Sequence, residues 1–71
     1  MRNIISEELL RANINHIYSE YKTEHKLFIY VSKTDREQAE NIIATFANLE
    51  KEVPSCTTYS VKGWTINIKN R

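Results

Sequence analysis

Chemistry at neutral pH needs groups that can trade a proton, attack a carbonyl or hold a metal, and this chain offers few of them. They are His16, His25, Cys56 and the neighbouring pair Glu7 and Glu8. A nucleophilic triad needs a histidine oriented through its second ring nitrogen. Here one histidine falls inside an expected helix and the other in an expected turn, with no paired signature around either. A zinc site needs about four clustered ligands, and the scattered His16, His25 and Cys56 are all the chain has. A phosphate-cradling loop needs several glycines; Gly63 stands alone. Adjacent carboxylates on a helix point in different directions, so Glu7 and Glu8 read as partners of the helix dipole. Cys56 reads as a small buried apolar residue. The expectation is a protein that is not an enzyme and carries no metal or cofactor.

Binding chemistry is better represented. Beyond residue 53 the chain carries Lys62, Lys69 and Arg71 and no acid. The expected order helix, strand, helix, strand, strand superficially resembles a winged helix, with Lys62 and Gly63 at the wing tip. That resemblance implies nucleic-acid binding through Lys62, Lys69 and Arg71. Two features depart from it. A winged helix places two helices between its first two strands, whereas residues 34–52 read as one. That stretch also holds five acids against Arg36 and Lys51, a charge that phosphate repels. By the two-residue period Tyr59 and Trp64 fall on the same face as Ile66 and Ile68 and are assigned to the interior.

The elements that must position these residues follow from periodicity. A first helix is expected over residues 7–21, with Ser6 as N-cap and Leu10, Ile14, Ile17 and Tyr21 as a stripe at helical spacing. Residues 27–31, Leu-Phe-Ile-Tyr-Val, are aromatic and β-branched without alternation and read as a strand. Thr34 to Glu37 matches a capping box and opens a second helix, whose stripe is Ala39, Ile42, Ile43, Phe46, Leu49 and Val53. Glu50 interrupts that stripe, and Pro54 ends the helix. Residues 56–69 form a hairpin turning at Lys62-Gly63, where glycine supplies the positive φ a tight turn needs.

Together these predict a single two-layer α+β domain over 1–71, ordered α-β-α-β-β. Its three-stranded mixed sheet has strand order 2-3-1 with both helices on one face, the helical crossover setting the first two strands parallel. Seventy-one residues, 41% hydrophobic and 27% charged with a net charge of +1, suit one small domain. Its stability at ordinary density is about 4–11 kcal/mol. No apolar run approaches a membrane span, the first residues do not read as a secretory signal, and a lone cysteine suits a reducing compartment. The expected location is the cytoplasm.

The first helix has more apolar surface than one stripe requires. Ile5, Leu9, Ala12 and His16 recur on a second face, and a two-layer domain covers only one. With Phe28 and Tyr30, apolar on a strand expected at the sheet edge, they form the candidate partner-binding surface, rimmed by charges such as Arg11 and Glu20. The expected function is a small accessory or regulatory protein acting by stoichiometric binding to another protein, with self-association into a dimer. An excess of Ile and Asn over Gly, Pro and Ala is the imprint of an AT-rich genome. That composition suits a phage or mobile-element inhibitor of host machinery such as a defence system. The alternative is a small nucleic-acid-binding regulator using Lys62, Lys69 and Arg71.

Overall fold

A computed structural model describes residues 2–71. It contains α1 (Arg2–Arg11), β1 (His16–Tyr21), β2 (Lys26–Val31), α2 (Arg36–Ala44), β3 (Asn48–Val53), β4 (Cys56–Val61) and β5 (Trp64–Asn70). The strands make one mixed sheet in the order β1-β2-β5-β4-β3, parallel only between β2 and β5. The domain is α+β, but the expected three-stranded sheet of order 2-3-1 is corrected to five strands, because two segments assigned to helices are the edge strands.

The first correction falls on residues 7–21. The helix ends at Arg11, and Asn13 takes a left-handed φ of 60°. The Ile14 N–H donates to the Leu9 carbonyl and the Asn13 N–H to that of Leu10, the paired bonds of a Schellman cap. Leu9 and Ile14, the apolar pair that accompanies such a cap, are both buried in the core. The chain then reverses into β1. Ile17 and Tyr21 fit a helical stripe at spacing four, but four is also a multiple of the strand period, so the same residues share one face of β1.

The second correction falls on residues 34–53. No capping box forms: Asp35 is the N-cap residue and makes no side-chain cap bond, while the Ser32 hydroxyl donates to the Asp35 carboxylate at 3.1 Å. The helix stops at Ala44, where Thr45 turns its hydroxyl back onto the Ile42 carbonyl at 2.6 Å. Residues 48–53 then pair with β4, bulging between Leu49 and Lys51. Pro54 does not end a helix. It sits with Ser55 in the tight connection from β3 to β4, a position where its missing N–H costs no ladder bond.

The hairpin of β4 and β5 turns at Lys62 (φ 50°) and Gly63 (φ 82°), the consecutive positive angles of a type I′ turn. β5 lies between β2 and β4, and β5, not β4, runs parallel to β2, since the extra strand β3 reverses the path. Paired residues share a face, so the register sorts the sheet. Leu27, Ile29, Val31, Thr57, Tyr59, Ile66 and Ile68 face the helices. They pack with Ile5, Leu9, Ala39 and Ile43 into one buried cluster. The opposite face carries no helix.

Candidate functional site

The face without helices is built from alternate residues of all five strands. In order across the sheet, β1 supplies Ile17, Ser19 and Tyr21 and β2 supplies Lys26, Phe28 and Tyr30. β5 gives Thr65, Asn67 and Lys69, β4 gives Cys56, Thr58 and Ser60, and β3 closes the face with Lys51 and Val53. The β1–β2 side is aromatic. Tyr21 meets Phe28 edge-to-face with ring centroids 5.5 Å apart, and the Lys69 ammonium lies 5.4 Å from the Phe28 centroid, within cation–π range. Tyr30 stands opposite both Ile17 and Lys69.

Beside the rings runs a polar strip. The Thr58 hydroxyl donates to Asn67 Oδ1 at 3.0 Å, the Cys56 thiol donates to the same oxygen at 3.8 Å, and Asn67 Nδ2 donates to the Leu27 carbonyl at 3.4 Å. These bonds fix the amide against the sheet. Glu50, at the β3 bulge, accepts the Ser60 hydroxyl. This face thus holds Lys26, Lys51 and Lys69 against one carboxylate. The helix side carries Glu7, Glu8, Glu20, Glu37, Glu40 and Glu52 against Arg2, Arg11 and Arg36. A net charge near zero therefore hides two layers of opposite sign.

The strongest ionic contact of the helix side is structural. The largely buried Arg36 donates from Nε to Glu40 at 2.7 Å, from Nη2 to the Thr57 hydroxyl at 2.8 Å and the Val53 carbonyl at 3.2 Å, and from Nη1 to the Pro54 carbonyl. Its fork pins the start of α2 to the β3–β4 turn and leaves the shallow groove beside it without an uncommitted guanidinium. Close by, Tyr59 donates to the Glu40 carbonyl at 3.4 Å. Burial holds its pKa above the ordinary phenol value; Glu40 and Glu52 push the same way, and Arg36 opposes them.

The expected partner-binding residues divide sharply. Ile5 and Leu9 are 0% exposed, and Ala12 packs against the core, so the helix face proposed for docking is the face that builds the interior. The large apolar residues of α1 that face outward are Ile4 and Leu10. His16 is half-buried in β1 with Nδ1 3.1 Å from the Ile14 carbonyl, away from Phe28 and Tyr30, which project from the opposite face. Of the six, Phe28 and Tyr30 come together on the open face. Of the basic residues, Lys69 joins them; Lys62 lies at the far turn and Arg71 follows β5, its N–H bonded to the Val31 carbonyl. His25 packs edge-on against Trp64. Among the described residues no three His, Cys, Asp or Glu side chains are grouped to hold a metal, and no helix is long and apolar enough to cross a membrane.

Sequence reasoning missed Ile17, Tyr21, Lys26 and Asn67. The alternation Tyr18, Glu20 against Ile17, Ser19, Tyr21 was the available signal for the first two. Comparison with protein-family models, curated proteins and solved structures finds no match. The chemistry of the face stands on its own residues.

Proposed function

We propose that this chain is a binding module whose working surface is the open face of the sheet and whose ligand is a single-stranded nucleic acid. One observation carries the reading: the sheet sorts charge and aromaticity onto one face, placing Tyr21, Phe28 and Tyr30 beside Lys26 and Lys69, with Lys51 at the far edge of the same face, and keeping most carboxylates on the other side. Single strands are held by that combination, rings stacking on bases at about 1–3 kcal/mol each and ammonium groups tracking phosphates. Asn67, Thr58 and Ser19 add donors and acceptors for base edges. The objection that an acidic helix repels phosphate loses force, because that helix lies behind the sheet.

A docked protein is the second reading. Half-exposed Ile17 beside Tyr30 favours it, an aliphatic contact that suits another protein better than a base. Both readings fit a small regulatory protein acting by stoichiometric binding, and unpaired Cys56 suits a reducing cell interior.

Fluorescence anisotropy with labelled single-stranded DNA and RNA, titrated at low and moderate salt, tests the proposal. The expected result is binding that weakens linearly in log salt, prefers single strands to duplex, and is lost in Phe28→Ala/Tyr30→Ala with the circular-dichroism spectrum unchanged. No anisotropy change at low salt overturns it. A cellular partner retained by the tagged protein after nuclease treatment, and lost in the same variant, then supports a protein ligand.

A further inference from the structure

The two edges of the sheet are built to opposite specifications. An edge strand offers unpaired N–H and C=O groups to any other chain, and proteins blunt it with charge, bulges and proline. β3 has all three: consecutive Glu50, Lys51 and Glu52, a bulge between Leu49 and Lys51, and Pro54 at its end. β1 has none. His16–Tyr21 pairs with β2 through six successive residues without irregularity, contains neither lysine nor proline, and has Glu20 as its one acid. Its open-face residues Ile17 and Tyr21 are 49% and 50% exposed.

We infer that β1 is the dimerisation edge, pairing antiparallel with β1 of a second copy of this chain about a two-fold axis through Ser19. Symmetry restricts the register. Opposed residues of an antiparallel pair share a face, so the axis stands perpendicular to the sheet and passes through a residue paired with itself. Centring on Ser19 sets Ile17 opposite Tyr21 of the second copy, and Tyr21 opposite its Ile17. Each half-exposed apolar residue then covers the other, and no like charges stand directly opposite: each Glu20 faces Tyr18 of the other copy. This self-complementarity selects a second copy over an unrelated strand. Both helix layers fall on one side, and the two open faces join in one ten-stranded sheet with both aromatic clusters at its centre. Tyr21 and Ile17 of the second copy thereby extend the platform described above. The inference stands on the edges alone, whatever that platform binds.

Sedimentation equilibrium and a cysteine cross-link test it together. The expected mass is twice 8.4 kDa for the native chain and 8.4 kDa for Ile17→Lys, with both spectra folded. In a Cys56→Ser background, Ser19→Cys places two thiols opposite each other with Cβ atoms about 5 Å apart, close to disulfide range. It forms a covalent dimer on mild oxidation, whereas Lys51→Cys on the far edge does not. A native chain that stays at 8.4 kDa up to millimolar concentration overturns the inference. So does a dimer that persists in Ile17→Lys and does not cross-link through Ser19→Cys, since its interface lies elsewhere.

Discussion

The two faces of the sheet are made by the same strands, residue by alternate residue, and are chemically unlike. Ile66 and Ile68 point into the helices and are fully buried, while Thr65, Asn67 and Lys69 point away from them. On β2, Leu27, Ile29 and Val31 close the core, and Lys26, Phe28 and Tyr30 face outward. The buried residues of the first face are almost wholly aliphatic, with Thr57 and Tyr59 as the polar members, each held by a named partner. The outer face keeps two large rings on the interior strand β2, where solvent alone would favour polar residues. Stability is concentrated on the first face, and the second is free to be specialised. Neighbouring substitutions should therefore have opposite consequences.

The largest expected difference lies between adjacent positions. Ile68→Ala removes a fully buried side chain and leaves a cavity, a loss of about 2–5 kcal/mol, a large part of the stability of so small a domain. Asn67→Ala, one residue earlier, loses neutral hydrogen bonds at a part-exposed site and costs about 1 kcal/mol. Chemical denaturation of the two variants checks the ratio; equal losses would mean that the open face is part of the core.

Arg36→Ala comes next. It strips one partner from the largely buried pair with Glu40 and frees the carbonyls of Val53 and Pro54, at an expected cost of about 2–4 kcal/mol. Hydrogen exchange should rise first at β3 and β4, because the guanidinium is what ties their turn to α2. Uniform exchange across the sheet would deny it that local role.

The open face responds in binding and not in stability. Phe28→Ala and Tyr30→Ala should each weaken single-strand binding by about 1–3 kcal/mol, with much smaller shifts in melting temperature. Tyr59→Phe, on the buried face, reverses the pattern. It costs about 0.5–1.5 kcal/mol of stability and leaves binding unchanged. The raised phenol pKa gives this position a pH signature. Below the ordinary value of 10.0 the phenol is protonated in both folded and unfolded chains, and its contribution is fully present. Above it the unfolded chain releases the proton first, so stability falls until the folded value is passed. Tyr59→Phe should remove that part of the alkaline decline, read as denaturation midpoints on either side of the phenol range.

What could be read in advance follows from where local and long-range signals agree. The hairpin was legible because alternation, Gly63 and β-branched composition all name the same structure. β2 was legible from composition, though its open-face residues could not be separated from its core residues without a register. The edge strands were not, because spacing four satisfies a helix and a strand alike, as Ile17–Tyr21 shows, and because the bulge in β3 puts Leu49 and Val53 on opposite faces and so hides the strand period there. Asn13 was the overlooked stop. A residue that adopts left-handed φ at a helix end, followed by an apolar residue to close the cap, marks a C-terminus as clearly as glycine does. On the candidate face, Phe28 and Tyr30 were expected on a partner-binding surface and Lys69 in the nucleic-acid alternative, and the register places all three on one side of the sheet. Ile5 and Leu9 were misassigned because the face of α1 that meets the sheet is fixed by where the helix ends, and that boundary was placed ten residues too late.

Lys69→Gln gives the smallest effect and the finest test of the contrast between the faces. Its ammonium sits over the Phe28 ring at the centre of the open face, paired across the ladders with Tyr30 and Cys56. Removing one phosphate contact should reduce the slope of log affinity against log salt by about 0.7, the increment for a single strand. Stability should stay within about 0.5 kcal/mol. Lys62→Gln, at the distant hairpin tip, has the same charge change and should leave the slope unchanged. If the two variants behave alike, long-range attraction to a weakly basic chain accounts for binding. If only Lys69→Gln moves the slope, phosphate is contacted beside the aromatic cluster, and the sorting of charge by face is what the ligand reads.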